Sequence, residues 1–269
     1  MKYVQQHLKL VSKNITTKVK LGKNIMTKNK LLVAMGALAI STSAMADLSA
    51  TGTLASDYTF NGVSQTDSSP ALQGSFDYSQ ASGLYAGTWA SNVDFGDDTN
   101  LEWDFYVGQY LELTDTVSVD AGIAHYTYHG QDASVAEEKA DSSDGNYSEV
   151  YSKFGFASEF GQSELNLWYA WDYFGSGEGH YIVMAAHSYE VAPGHTLRAS
   201  IDQSTSTASD KTVLGWNGEA SYMHYRLAYQ TSFEGFDFEV AAEDTDIASS
   251  YGDTADARIV ATVSRSFGF

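Results

Sequence analysis

Counting back from the last residue, every second position is Phe269, Phe267, Arg265, Val263, Ala261 and Ile259, and five of these six are apolar. The positions between them, Gly268, Ser266, Ser264, Thr262, Val260 and Arg258, hold one apolar residue. A period of two predicts a strand with one greasy face. The same alternation recurs upstream and predicts about twelve strands, with ten to fourteen as the range. Their expected spans are 48–60, 71–79, 84–94, 101–113, 117–128, 147–158, 164–174, 180–191, 195–203, 219–232 and 236–246, followed by the terminal strand. The 101–113 segment is the clearest internal case. Leu101, Trp103, Phe105, Val107, Leu111 and Leu113 alternate with Glu102, Asp104, Tyr106, Gly108, Tyr110 and Glu112. Tyr85, Trp89 and Val93 share one face of their strand, and in 180–191 the two faces are not separable by pattern.

The connections alternate as well. Those around 80–83, 114–116, 159–163, 192–194 and 233–235 are short, and most of the others are longer, polar and acidic. An even number of strands with alternating short turns and long loops predicts an all-β, up-and-down antiparallel transmembrane β-barrel in one domain, residues 47–269. Closing the terminal strand on the first one removes both sheet edges. Phe267 and Phe269, exposed at the end of a strand, fit an interfacial aromatic row and a C-terminal assembly signature of outer-membrane barrels.

The first 46 residues differ in kind. They contain eight lysines and no acid, then an apolar run from Leu31 to Ile40, then Ala44-Met45-Ala46. This is the layout of a secretory signal peptide over residues 1–46, with cleavage before Asp47 and Met26 as a possible alternative start. Ten apolar residues are too few for a helix across about 30 Å of hydrocarbon. Beyond residue 46 the chain keeps seven basic residues against all 34 acids, a formal charge of −27. That balance argues against nucleic acid as a partner. The absence of cysteine excludes a disulfide framework and thiolate metal sites.

Alternation does not by itself say which face is inside. A soluble periplasmic barrel would turn its apolar face inward, and a membrane barrel turns it outward. The polar faces carry charges of both signs along the strands, and aromatics gather near strand ends. About twelve strands also enclose a space wider than apolar side chains fill well. These features favour the membrane barrel. They make Asp77, Glu102, Asp104, Asp120, Glu149, Lys153, Asp172, Arg198, Asp202, Arg226, Asp237, Glu239, Glu243 and Arg258 the expected lumen-lining residues.

Several segments bear a family likeness: 56–65 (SDYTFNGVSQ), 91–95 (SNVDF), 122–128 (GIAHYTY), 146–149 (NYSE), 236–238 (FDF) with 244–246 (DTD), and 263–267 (VSRSF). In these the chain resembles the TorF-type porin family, proteobacterial outer-membrane proteins long of unknown function. It departs where family members commonly have proline after the Tyr-x-Tyr run, since His129 stands there, and in extending to Gly268 and Phe269. The resemblance implies an outer-membrane channel and no particular solute.

An acid-rich lumen favours cations or polar neutral solutes. The alternative is that these groups pair and brace a plugged, non-conducting barrel with a structural or adhesive role. Other chemistry has little support. His125 and His129 are four apart on a strand, which is not the helical spacing of a metal pair. Ser188 follows His187 and so faces the other way, which leaves a lipid hydrolase without that dyad. The acidic stretch Asp141–Gly145 lacks calcium-loop spacing. The expectation is therefore a non-enzymatic porin without cofactor or metal, exported to the outer membrane of a Gram-negative cell. Its partners would be the barrel assembly machinery, outer-membrane lipid and small polar solutes.

Overall fold

The computed structural model describes residues 46–130, 145–210, 215–216, 218–247 and 252–269. The expected signal segment up to residue 45 and the acidic loop 131–144, with Asp141–Asp144, lie outside the described residues.

Alternating β-formers become twelve long strands: β1 (Ala46–Ala55), β4 (Ala71–Gln80), β5 (Leu84–Asn92), β6 (Leu101–Glu112), β7 (Val117–His129), β8 (Tyr147–Ser158), β9 (Gly161–Ala170), β10 (His180–Ala192), β11 (His195–Ser206), β12 (Ser221–Phe233), β13 (Phe236–Thr245) and β14 (Arg258–Gly268). Two short strands, β2 (Thr59–Phe60) and β3 (Val63–Ser64), form a separate hairpin. Each long strand pairs antiparallel with the next in the chain, and β1 pairs with both β4 and β14, so the sheet closes. The closing seam runs from Ser49 opposite Gly268 to Ala55 opposite Thr262. Phe269 extends it, its N–H donating to the Leu48 carbonyl at 2.9 Å. No long strand is left with an unpaired edge.

One end of the barrel has tight turns. Glu234 and Gly235, both with positive φ, make the two-residue turn between β12 and β13, the conformation that matches strand twist in a hairpin. Pro193-Gly194 joins β10 to β11 with a register shift near Glu190 and Ala192. The longer connections gather at the other end. There β9 stops at Ala170, and Tyr173–Gly175 form a 3₁₀ turn with Phe174 at φ 52°. Asp172 therefore lies beyond the strand expected to carry it.

Orientation follows from exposure. Trp103, Phe105, Val150 and Leu167 are 39–43% exposed, whereas Glu102 and Asp120 are 2% and 5% exposed. The apolar face is outside and the ionisable face inside, the reverse of a soluble protein. Phe156, Phe233, Phe236, Phe267 and Phe269 are exposed near the turn end, and Trp103, Tyr169, Trp171 and Tyr181 near the loop end. Two faces run against the simple pattern. Tyr85 points inward on β5, and Ile182, Met184 and Ala186 point inward on β10. They join Tyr151 and Trp168 in an interior apolar cluster.

Candidate functional site

The barrel interior carries the chemistry. On its β9–β13 side the charges are paired. Arg198 grips Glu164 with two N–H donors at 2.6 and 3.0 Å. Arg226 bridges Glu239 at 2.7 Å and Glu243 at 3.1 Å. His224 Nδ1 lies 2.8 Å from Asp202. On β8, the Lys153 ammonium sits over the rings of Tyr151 and Trp168, 4.5 and 5.5 Å from their centres. Such buried pairs set geometry more than they add stability.

The connection from β1 to β4 does not stay at the loop end; it folds into the interior. Asn61 (φ 49°) and Gly62 (φ 83°) form the turn between β2 and β3. At the tip, Asn61 donates to Asp202 Oδ1 at 2.6 Å. Gly62 lies so close to the wall that a Cβ there would come within 2.5 Å of Thr245 Cγ2 and 2.7 Å of His224 Cδ2. Phe60 packs on the interior apolar cluster. Thr59 lies beside Glu243. At the base, Asp57 accepts from Arg258 Nη1 at 2.6 Å, Ser64 Oγ at 2.7 Å and Thr66 Oγ1 at 2.9 Å. Tyr58 stacks edge-on against Trp89 at 5.3 Å and lies beside Glu102 and Asp104. Burial, with Glu102 and Asp104 beside it, holds this phenol well above its ordinary pKa, so it stays a neutral donor. A twelve-strand barrel is wider than one that wall side chains fill by themselves, and this segment occupies part of the space.

The β6–β8 side is different. Glu102, Asp104 and Glu149 are buried close together near the loop end. Tyr128 donates to Glu102 at 3.2 Å and Tyr126 to Glu149 at 3.0 Å. No salt bridge within the described residues reaches these three. Glu102 Oε2, Asp104 Oδ1 and Glu149 Oε2 have no hydrogen-bond partner. Aromatic rings surround them. Tyr126 stacks on Tyr147 at 4.6 Å, Tyr147 meets Tyr173 at 4.9 Å, and Tyr173 stacks on His180 at 4.2 Å.

Of the residues expected to line the lumen, Glu102, Asp104, Asp120, Glu149, Arg198, Asp202 and Glu243 are buried on inward positions, and Asp77, Lys153, Arg226, Asp237 and Glu239 are half-buried on inward positions. Asp77 accepts from Ser75 and Tyr106, and Asp237 from Ser232. Arg258 starts β14 and is spent on Asp57. Asp172 is the exception. It belongs to the loop-end rim, where its Oδ1 accepts from the Gly177 N–H at 2.7 Å. Pattern reading missed Asp57, Tyr58, Asn61 and Glu164. The Asn-Gly pair between Phe60 and Val63 is a strong hairpin signal that could have revealed the turn.

Outward histidines pair with hydroxyls: His125 with Ser148 at 2.9 Å, His129 with Thr127 at 2.9 Å, His187 with Ser163 at 3.0 Å and His195 with Tyr229 at 2.6 Å. Ser188 points the other way and takes a hydrogen bond from Arg198 at 3.2 Å. Four similar pairs on the outer surface satisfy polar groups at both ends and single out no nucleophile.

A closed antiparallel barrel with a polar interior and an apolar exterior defines a porin-like class of fold. The chain belongs to the family described as "Bacterial protein of unknown function (Gcw_chp)", which matches residues 39–267; that description does not carry the TorF name. No curated protein matches the sequence. Among solved structures, the NanC porin is 13% identical with a TM-score of 0.52, over 82% of this chain and 98% of that one. The KdgM porin is 8% identical with a TM-score of 0.50, over 82% and 99%. KdgM in complex with disordered oligogalacturonate is 9% identical with a TM-score of 0.52, again over 82% and 99%. At these identities the likeness is one of fold.

Proposed function

We propose that the protein is an outer-membrane porin-like channel that passes small polar or cationic solutes by passive diffusion, without enzymatic chemistry. The observation that carries this is the inversion of faces: exposed Trp103, Phe105 and Leu167 alternate with buried Glu102, Asp104 and Asn166, which suits hydrocarbon outside and water inside. In this reading residues 1–46 direct export and are removed. The barrel assembly machinery recognises the terminal strand with Phe267 and Phe269, and outer-membrane lipid surrounds the aromatic rows. The short turns face the periplasm. The residues on inward positions line the path, Asp172 guards its outer rim, and the segment 57–66 narrows it. Oligogalacturonate, the ligand of the KdgM complex, is a polyanion. An interior with three carboxylates outside any salt bridge among the described residues disfavours that charge and favours cations.

Recording from purified protein in planar bilayers tests the reading. Unitary conductance with a reversal potential displaced toward cations is expected in a salt gradient. A protein that inserts, shifts its gel mobility on boiling and stays silent would be a braced, non-conducting barrel. Recovery in the soluble periplasmic fraction would remove the membrane reading altogether.

A further inference from the structure

We propose that Glu102, Asp104 and Glu149, with the tyrosines around them, form a binding site for linear polyamines or diamines. The inference rests on the reading of the interior as a solute path and names the class of solute it selects. Three carboxylates, each at least nine-tenths buried, lie together; among the described residues none is within salt-bridge distance of a base, with Lys153 a more distant positive charge for Glu149, and each keeps one oxygen without a hydrogen-bond donor. Grouped carboxylates removed from water take up either protons or a counter-charge. The described residues hold no group of three or more carboxylates or imidazoles placed to chelate a metal ion, so the fitting partner is longer than a single ion. Its positive centres must be spaced along a chain and must carry N–H bonds for the waiting oxygens. The walls suit the rest of such a ligand. The rings of Tyr126, Tyr128, Tyr147 and Tyr173 pack together beside the carboxylates, and aromatic rings attract cations and cover methylene stems. Tyr58, carried by the inward segment, lies beside Glu102, and an arriving ammonium displaces its phenol.

Calorimetric titration of the detergent-solubilised full barrel with spermidine, alongside bilayer recording, tests the site. Saturable spermidine binding is expected, at least tenfold weaker in a Glu102→Gln, Glu149→Gln double variant that still shifts its gel mobility on boiling. Tyr58→Phe removes a competing donor and should bind spermidine several-fold more tightly; a merely structural tyrosine would give no gain. Tetramethylammonium, which has no N–H, should bind at least tenfold more weakly. Equal binding of the two cations, or of spermidine to parent and double variant, overturns the site. If the barrel conducts and spermidine neither binds nor blocks, the site fails and the channel stands. If spermidine binds a silent barrel, the site stands and the channel fails.

Discussion

Neutralising Asp57 should loosen the segment that lies within the barrel without opening the barrel itself. In Asp57→Asn the shape is kept and the charge is lost. The parent carboxylate holds Arg258 at 2.6 Å and the hydroxyls of Ser64 and Thr66 at 2.7 and 2.9 Å. A hydrogen bond to a charged group contributes about 1.5–3 kcal/mol net, against about 0.5–1.5 for a neutral one. Exchanging the first for the second at the Arg258 contact alone removes about 1–2 kcal/mol, and the amide NH2 left facing Ser64 and Thr66 cannot accept from their hydroxyls. A total of about 2 kcal/mol multiplies the displaced population roughly 30-fold. The barrel is insulated from the change because Arg258 still donates to the carbonyls of Asp253 and Asp256 at 2.7 and 3.1 Å, and β14 keeps its pairing with β1 and β13. Single-channel recording reads the effect as time spent in a larger conductance state. Dwell times equal to those of the parent, in protein that still shifts on boiling, would refute the argument that this carboxylate holds the segment inward.

Other expectations follow from the same geometry. Gly62→Val puts a branched side chain at φ 83° and into Thr245 and His224; backbone strain of about 1–3 kcal/mol alone should displace the tip and give Asp57→Asn-like openings in the same recording. Leu167→Arg places a cation on the outer face of β9 and should cost about 2–4 kcal/mol near the bilayer midplane, read as a lower urea midpoint in vesicles. Arg198→Gln leaves Glu164 without its base. Removing one partner of such a buried pair costs about 3–5 kcal/mol, so a lower urea midpoint is expected here too, together with a reversal potential displaced further toward cations. An unmoved reversal potential would separate Arg198 from the solute path.

Much of the barrel was legible because lipid and water impose opposite demands on alternate residues. Trp103 next to Asp104 and Leu165 next to Asn166 state the face of their strands without knowledge of any neighbour. The limits appear where the interior stops being uniformly wet. On β10, Ile182, Met184 and Ala186 face inward with an apolar cluster to pack on, so both faces read alike. Residues 48–60 looked like one strand because β1 and β2 are both extended; a period of two reports extension, not direction. What ends β1 is the fold of Ser56 onward into the interior, a consequence of lumen width that no local pattern encodes. Asp172 was placed inward by continuing that same period past Ala170, where the 3₁₀ turn breaks it.

Charge pairing shows the boundary most clearly. The turn at Glu234-Gly235 fixes the register of β12 against β13, and that register sets Arg226 opposite Glu243 and Gln230 opposite Glu239. All four groups meet in the structure: Arg226 contacts Glu243 and Glu239, and Gln230 contacts Glu239. A tight turn plus alternation therefore carries the information for this network, although the sequence analysis placed Arg226, Glu239 and Glu243 only on the inward face. Arg198 and Glu164 are different, since they lie on β11 and β9 with β10 between them. Ala186 pairs with Glu164 on one side and with Ser200 on the other, and its small inward side chain leaves the guanidinium room to reach over. Such a contact depends on two registers and one intervening residue size at once, and the segment from Asp57 to Asp202 and Arg258 depends on distances across the whole interior. Contacts within one hairpin are written locally, contacts over a strand need the sheet, and contacts across the lumen need the closed barrel. The residues argued here to control passage belong mostly to the last two kinds.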